Sequence, residues 1–422
     1  MTVTVGALAR GGVSARRERA VGIFLLLLAA AVAFGFGLGT GAGLDSRFGL
    51  NPGGEVLFKV PDLVVPTRVT AYVLGGVLAF LAGVQLTRGF GRRTNVVLGV
   101  SVLLFILAFL TWAARGGGFN LLGMLQSTLR ASVPITFGAL SGVLCERAGV
   151  INIAIEGMLL SGAFMGALVG SVADNLWVGL LAGAMVGAVL GWMLGVLAIR
   201  YRVDQIIAGT VIYLLAIGMT SFLSARFLQR NQELNSPGRF QPIRVPFLSD
   251  VPVLGPVVFH QNVFVYLMLF LVLAIHVGLF YTRWGLRVRA VGEHPRAADT
   301  VGIRVLFTRY RNVVLGGIVA GIGGAYFTLG SVGRFDELMT GGRGFIGLAA
   351  MIFGRWNPIG AFGAALVFGF ADSLQVRLSI LQVPIPSEFL LMAPYLATIL
   401  VVAGAVHRAR PPAADGKPYV KE

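Results

Sequence analysis

Apolar residues run through this chain in stretches of about 20, long enough to cross a hydrocarbon core as helices. Eleven such stretches are predicted, at 21–40, 69–87, 95–113, 120–144, 151–173, 176–199, 205–224, 262–282, 310–332, 358–378 and 388–406. A twelfth, 344–354, spans only about 16 Å at a rise of about 1.5 Å per residue, so it reads as a half-helix or re-entrant segment lined by protein. The pattern predicts an all-α polytopic membrane protein of about 10–12 helices. The 225–261 segment carries Pro237, Pro242, Pro246, Pro252 and Pro256, and is expected to fold as an external cap without crossing.

Glycine punctuates these helices in register. Gly179, Gly183, Gly187, Gly191 and Gly195 recur every four residues, and Gly162, Gly166 and Gly170 repeat the spacing one helix earlier. Such stripes let helix backbones approach closely in lipid, so tight packing is expected there.

Composition fits a lipid-solvated chain: of 422 residues 56% are hydrophobic and 12% charged, too few charges for the surface of a soluble protein of this length. The single cysteine, Cys145, cannot close an internal disulfide, and four scattered histidines form no metal-ligand spacing, so no cofactor or metal is expected on this chain. The net charge of +16 would suit nucleic acid if it formed a stripe. Instead the basic residues fall in loops between spans, which sets orientation, with Lys and Arg predominantly on the cytoplasmic side and both termini inside. The 283–311 loop, with seven arginines against two acids, is the firmest cytoplasmic assignment. The arginine-rich start and long first apolar stretch predict an uncleaved first helix in a bacterial inner membrane.

Several chemistries are missing from the sequence. The three lysines, Lys59, Lys417 and Lys421, do not close a phosphate-cradling Gly-Lys-Ser/Thr loop, and no His-Glu-x-x-His motif occurs. Gly37, Gly39 and Ala42 mimic a dinucleotide fingerprint only inside an apolar helix. An intramembrane enzyme would need a nucleophile with a base, or metal ligands, yet only His276 among the histidines lies inside a span. The chain is therefore expected to be non-catalytic and to bind neither ATP nor Mg itself.

Ionisable groups inside a bilayer require a reason, and three qualify: Arg130, Glu156 and Asp372. Asn152 and Glu156 are four apart, and Asp372 and Gln375 three apart, so each pair is expected to share a helix face. Two readings stand side by side. The faces line a substrate path, or the carboxylates pair with Arg130 and cap broken helices. Breaks are expected at 146–152 and 341–358, and a glycine- and proline-bounded short segment marks a mid-membrane transport site. Phe345 within it either stacks on a flat ring or packs in the core.

Four stretches carry a resemblance. CERAGVINIAIEGM at 145–158, DQIIAG at 204–209, GLRVRAVGEHPRAAD at 285–299 and GRGFIGLAAMIFGRWNP at 342–358 occur in order. Together they resemble permease subunits of ATP-binding-cassette importers for simple sugars, nucleosides and branched-chain amino acids, the nucleoside branch above all. The resemblance covers 120–406 and leaves 1–119 as an N-terminal transmembrane extension and 407–422 as a cytoplasmic tail. It implies a second permease subunit, cytoplasmic ATP-binding subunits and an external substrate-binding lipoprotein as partners, besides membrane lipid and without nucleic acid. It also implies that 285–302 docks on the ATPase, through Gly285, Arg289, Gly292, Glu293, Pro295, Arg296, Asp299 and Gly302, with a short helix beginning near Pro295. A sugar permease, with a ribose- or galactose-like cargo, and an ion-coupled secondary transporter in which Glu156 or Asp372 carries a proton are the alternatives.

Overall fold

The computed structural model describes residues 3–41, 43–51, 60–380, 392 and 410–421, with 3–15 described by backbone alone. Ten helices among the described residues are long and apolar enough to cross a membrane. The expected span at 388–406 lies outside the described residues.

The described residues fall into two compact units, those of Met1–Gly123 with Leu378–Ile385 and those of Met124–Arg377 with Pro386–Glu422. In the first unit, α1 (Val3–Ala30), which continues as π turns over Ala31–Leu38, α2 (Thr67–Thr87) and α3 (Thr94–Ala113) meet through Ala29, Val32, Leu78 and Ala108. Phe80, Val96, Leu103 and Phe34 stay exposed, as lipid-facing side chains do. β1 (Asp45–Gly49) pairs antiparallel with β2 (Leu63–Pro66) and parallel with β3 (Gly118–Asn120). Buried Ser46 fastens this sheet, bonding the Thr67 hydroxyl at 2.6 Å and donating to the Thr111 carbonyl at 2.7 Å.

The second unit is built around α4 (Leu121–Glu146), buried along almost its whole length, and includes α5 (Ile155–Val172), α6 (Leu176–Gly195) and α7 (Gln205–Leu223). α5 starts four residues later than the apolar pattern predicts, because 147–154 is a turn that Gly149 closes at φ +83°. α6 and α7 begin at N-capping side chains: Asn175 accepts from Trp177 N–H at 2.9 Å, and Asp204 accepts from Ile206 and Ile207 at 3.0 Å.

The 225–261 segment folds into short pieces, among them β4 (Ile243–Arg244), α8 (Leu254–Val258) and β5 (His260–Gln261), and none of them is a span. After it come α9 (Val263–Tyr281), α10 (Arg283–Glu293), α11 (Pro295–Thr300) and α12 (Val305–Ala325), the last continuing as wide π turns over Tyr326–Val332. The short apolar run forms α13 (Arg343–Phe353), and α14 (Pro358–Ile380) follows.

The glycine stripe seats α6 against α5 and α12. A Cβ on Gly187 would collide with the Gly317 carbonyl, one on Gly321 with the Gly183 carbonyl, and one on Gly162 with the Gly321 carbonyl. Each neighbour is backbone and has no side chain to swing aside, so the stripe is required by packing.

Candidate functional site

The N-terminus of α13 is where the two intramembrane carboxylates converge. Gly341 and Gly342 have positive φ, +55° and +78°, which turns the chain sharply into the helix and leaves its first N–H groups without intrahelical partners. Glu156, only 3% exposed on the first turn of α5, supplies them: its carboxylate accepts from Gly342 N–H at 2.8 Å and Gly344 N–H at 2.5 Å. Negative charge at a helix N-terminus also interacts favourably with the helix dipole. From α14, Asp372 pairs with Arg343 at 3.4 Å, so both carboxylates act on the first turn of α13.

Asn152 and Glu156 do not share a face. With α5 starting at Ile155, Asn152 lies in the preceding turn, fully buried, and its amide approaches Ser141 Oγ at 3.4 Å and Cys145 Sγ at 3.5 Å. Gln375 lies on α14 one turn beyond Asp372. Phe345 is 39% exposed, and its ring meets Tyr213 of α7 edge-to-face at 5.3 Å. Arg130 reaches neither carboxylate; its Nε donates to Gln261 Oε1 at 2.9 Å.

Beside this cluster lies a cavity of about 610 Å³, bounded by α4, the extended 239–242 segment of the cap, the π turns after α12, and α13. Arg130, Arg239 and Arg343 bring positive charge to it, while Asn262, Tyr326 and Phe327 bring amide, phenol and ring surfaces. π turns recur at functional sites because they re-aim side chains, and here they point Tyr326 and Phe327 toward the cavity. Sequence reasoning missed Arg343 and the π segment. Arg343 was legible as a charge beside the 341–342 glycines, whereas a π turn leaves no residue signature.

At the other end of α13, Trp356 Nε1 donates to Glu146 Oε2 at 2.5 Å, and Arg147 Nε donates to the Trp356 carbonyl at 2.9 Å. The Arg147 carbonyl lies directly under Gly292 of α10. Thr282 caps α10 by accepting from Gly285 N–H at 3.2 Å, and Gly285 itself packs on the Gly278 and Leu279 carbonyls. α11 begins at Pro295, where a missing N–H costs nothing, and Gly302 at φ +83° ends its turn. Arg289 lies over the Phe280 ring at 5.2 Å, Arg296 is exposed on α11, and Asp299 is half-buried. Glu293 accepts from Ala413 N–H of the C-terminal tail at 3.2 Å. In that tail, burial pushes the Asp415 carboxyl up to about 6, against a lesser lowering from its hydrogen bond to Glu146 and from Arg309.

Residues 124–403 match the family described as branched-chain amino acid transport system / permease component. The match begins at the residue that opens the second compact unit. The guanosine ABC transporter permease protein NupQ of Bacillus subtilis is 41% identical over 308 residues, covering 71% of this chain and 96% of that protein. The nucleoside ABC transporter permease protein NupC of Lactococcus lactis is 40% identical over 301 residues, covering 69% and 94%. The putative glucose ABC transporter permease protein TsgC13 of Haloferax volcanii is 32% identical over 304 residues, covering 68% and 92%. No solved structure matches the chain. With two thirds of its length inside that family model and these identities running almost end to end of its relatives, the chain belongs to the permease-component family of branched-chain amino acid transport systems.

Proposed function

We propose that this chain is the membrane permease subunit of an ATP-binding-cassette importer for nucleosides, moving them across a bacterial inner membrane while ATP is hydrolysed on a separate chain. The observation that carries the reading is the 41% and 40% identity to permeases named for guanosine and for nucleosides. The glucose permease relative stands lower, at 32%.

No bond is made or broken on this chain. Its work is to offer a path and to move. The cavity, at about 610 Å³, lies within the range of small-molecule sites, and its amide, phenol and aromatic groups suit ribose hydroxyls and a flat base. Glu156 and Asp372 act on cargo indirectly, by holding the α13 N-terminus, while Phe345 and Gln375 flank it and Asn152 braces the α4–α5 turn. Further from the cavity, 285–302 is the docking surface for the ATPase on the cytoplasmic side, where both termini lie. A second permease subunit and an external substrate-binding lipoprotein complete the assembly.

Uptake of labelled guanosine into ATP-loaded vesicles carrying the whole assembly tests the cargo. Unlabelled nucleosides are expected to compete and ribose or glucose to leave uptake unchanged; competition by the free sugar, with none by nucleosides, would overturn the assignment.

A further inference from the structure

The C-terminal tail is bonded into the coupling end of the chain at several points. Ala414 N–H donates to the Gly292 carbonyl at the end of α10, at 2.9 Å. Arg309 of α12, itself only 1% exposed, donates to the Lys417 carbonyl at 2.9 Å. Tyr419 is 7% exposed and packs with Val291 of α10, Ala298 of α11 and Val305 of α12. Without that ring the six-residue α11 would lose part of the apolar surface it folds against. A single helical turn has no stability of its own.

The tail also reaches the α4–α5 break. Asp415 lies beside Glu146, the residue that also receives the Trp356 indole N–H at the C-terminal end of α13. Gly416 lies against Ile151 of the same break, close enough that a Cβ there would meet it at 2.8 Å. One short segment thus touches α10, α11, α12 and the turn that grips α13.

We propose that the tail is a clamp that carries movement of the docking loop to the transport site. It fastens α10 and α11 to the α4–α5 break. Through Glu146 and Trp356, it also fastens them to one end of α13, whose other end is held by Glu156 and Asp372. Displacement of 285–302 by the ATPase then shifts α13 as a rod of 11 residues. Tyr419 and Asp415 are positioning residues in this scheme. The inference rests on the ATP-driven importer reading above.

The test uses the complete transporter in proteoliposomes, with ATP hydrolysed per nucleoside imported as the readout. Three variants are compared with the parent chain: one ending after Arg410, Tyr419→Ala, and Tyr419→Phe, which keeps the ring in its socket. The truncation and Tyr419→Ala are expected to retain bound ATPase and to raise ATP used per nucleoside roughly tenfold, inside the usual span of coupling between sites. Tyr419→Phe is expected to restore the parent ratio. An unchanged ratio in Tyr419→Ala would overturn the proposal, as would release of the ATPase from that variant, which makes the tail a docking element. Should the truncated chain fail to reach the membrane, the Tyr419→Ala and Tyr419→Phe pair decides alone. If the parent assembly imports no nucleoside, the importer reading fails by itself. The clamp is then read from whether stimulation of the ATPase by the binding protein disappears in Tyr419→Ala, and undiminished stimulation would overturn it.

Discussion

Glu156→Gln separates a capping role from a cargo-binding role. The change keeps the shape of the side chain but leaves one oxygen and puts an NH₂ where the second stood. Glu156 accepts from Gly342 N–H at 2.8 Å and Gly344 N–H at 2.5 Å, so one of these buried donors then faces another donor. Losing a hydrogen bond to a charged acceptor costs about 1.5–3 kcal/mol, and losing the charge at a helix N-terminus about 0.3–1 kcal/mol more. The sum, about 2–4 kcal/mol, is expected as reduced stability of the purified chain in a denaturant titration in detergent. Uptake is expected to fall in step as the α13 N-terminus loosens, and Glu156→Ala, which abandons both donors, should lose more on both counts. A variant as stable as the parent but unable to import would refute the reasoning, because it would make Glu156 a contact for cargo and not for helix α13.

Three further outcomes are expected. Gly187→Ala forces a methyl group into the Gly317 carbonyl and should destabilise the chain by about 1–3 kcal/mol in the same titration, whereas Gly218→Ala, with open space around it, should be nearly silent. The docked tail should loosen as pH rises through about 6, since burial raises the Asp415 pKa and the docked state holds a proton that the free tail releases from about 3.8 upward. Protection of the tail from proteolysis should therefore be greatest below about 4, decline between about 4 and 6 and level off above that, and Asp415→Asn should flatten the curve; protection that increases with pH would contradict the sign. Arg343→Gln removes the partner of Asp372 and should lower uptake with little loss of stability, because that pair is part-exposed and such pairs contribute about 0–1 kcal/mol.

The helices were legible because lipid leaves a simple record: apolar runs about 20 residues long. The half-helix α13 was legible from its length and its flanking glycines and Pro358. The start of α5 was not, because 151–154 reads as apolar whether it is helix or turn, and that uncertainty moved Asn152 off the face of Glu156. Both readings of the intramembrane carboxylates were open from spacing alone, since spacing along one helix does not say what the facing helix presents. Glu156 meets two backbone N–H groups and Asp372 meets Arg343, which no periodicity encodes. The coupling segment stood out by the seven arginines of the 283–311 loop that contains it and by Pro295, but its partner in the fold, the tail, is a short polar stretch without pattern. Tyr419 and Asp415 gain meaning only from what they touch.

The central claim is that movement of cargo through this chain is driven by ATP hydrolysed on a partner. Guanosine uptake by the reconstituted assembly, measured with internal ATP present and the proton gradient collapsed, tests it most directly. The account predicts uptake that persists without the gradient and stops when internal ATP is replaced by a non-hydrolysable analogue; gradient-driven uptake by this chain alone would contradict it.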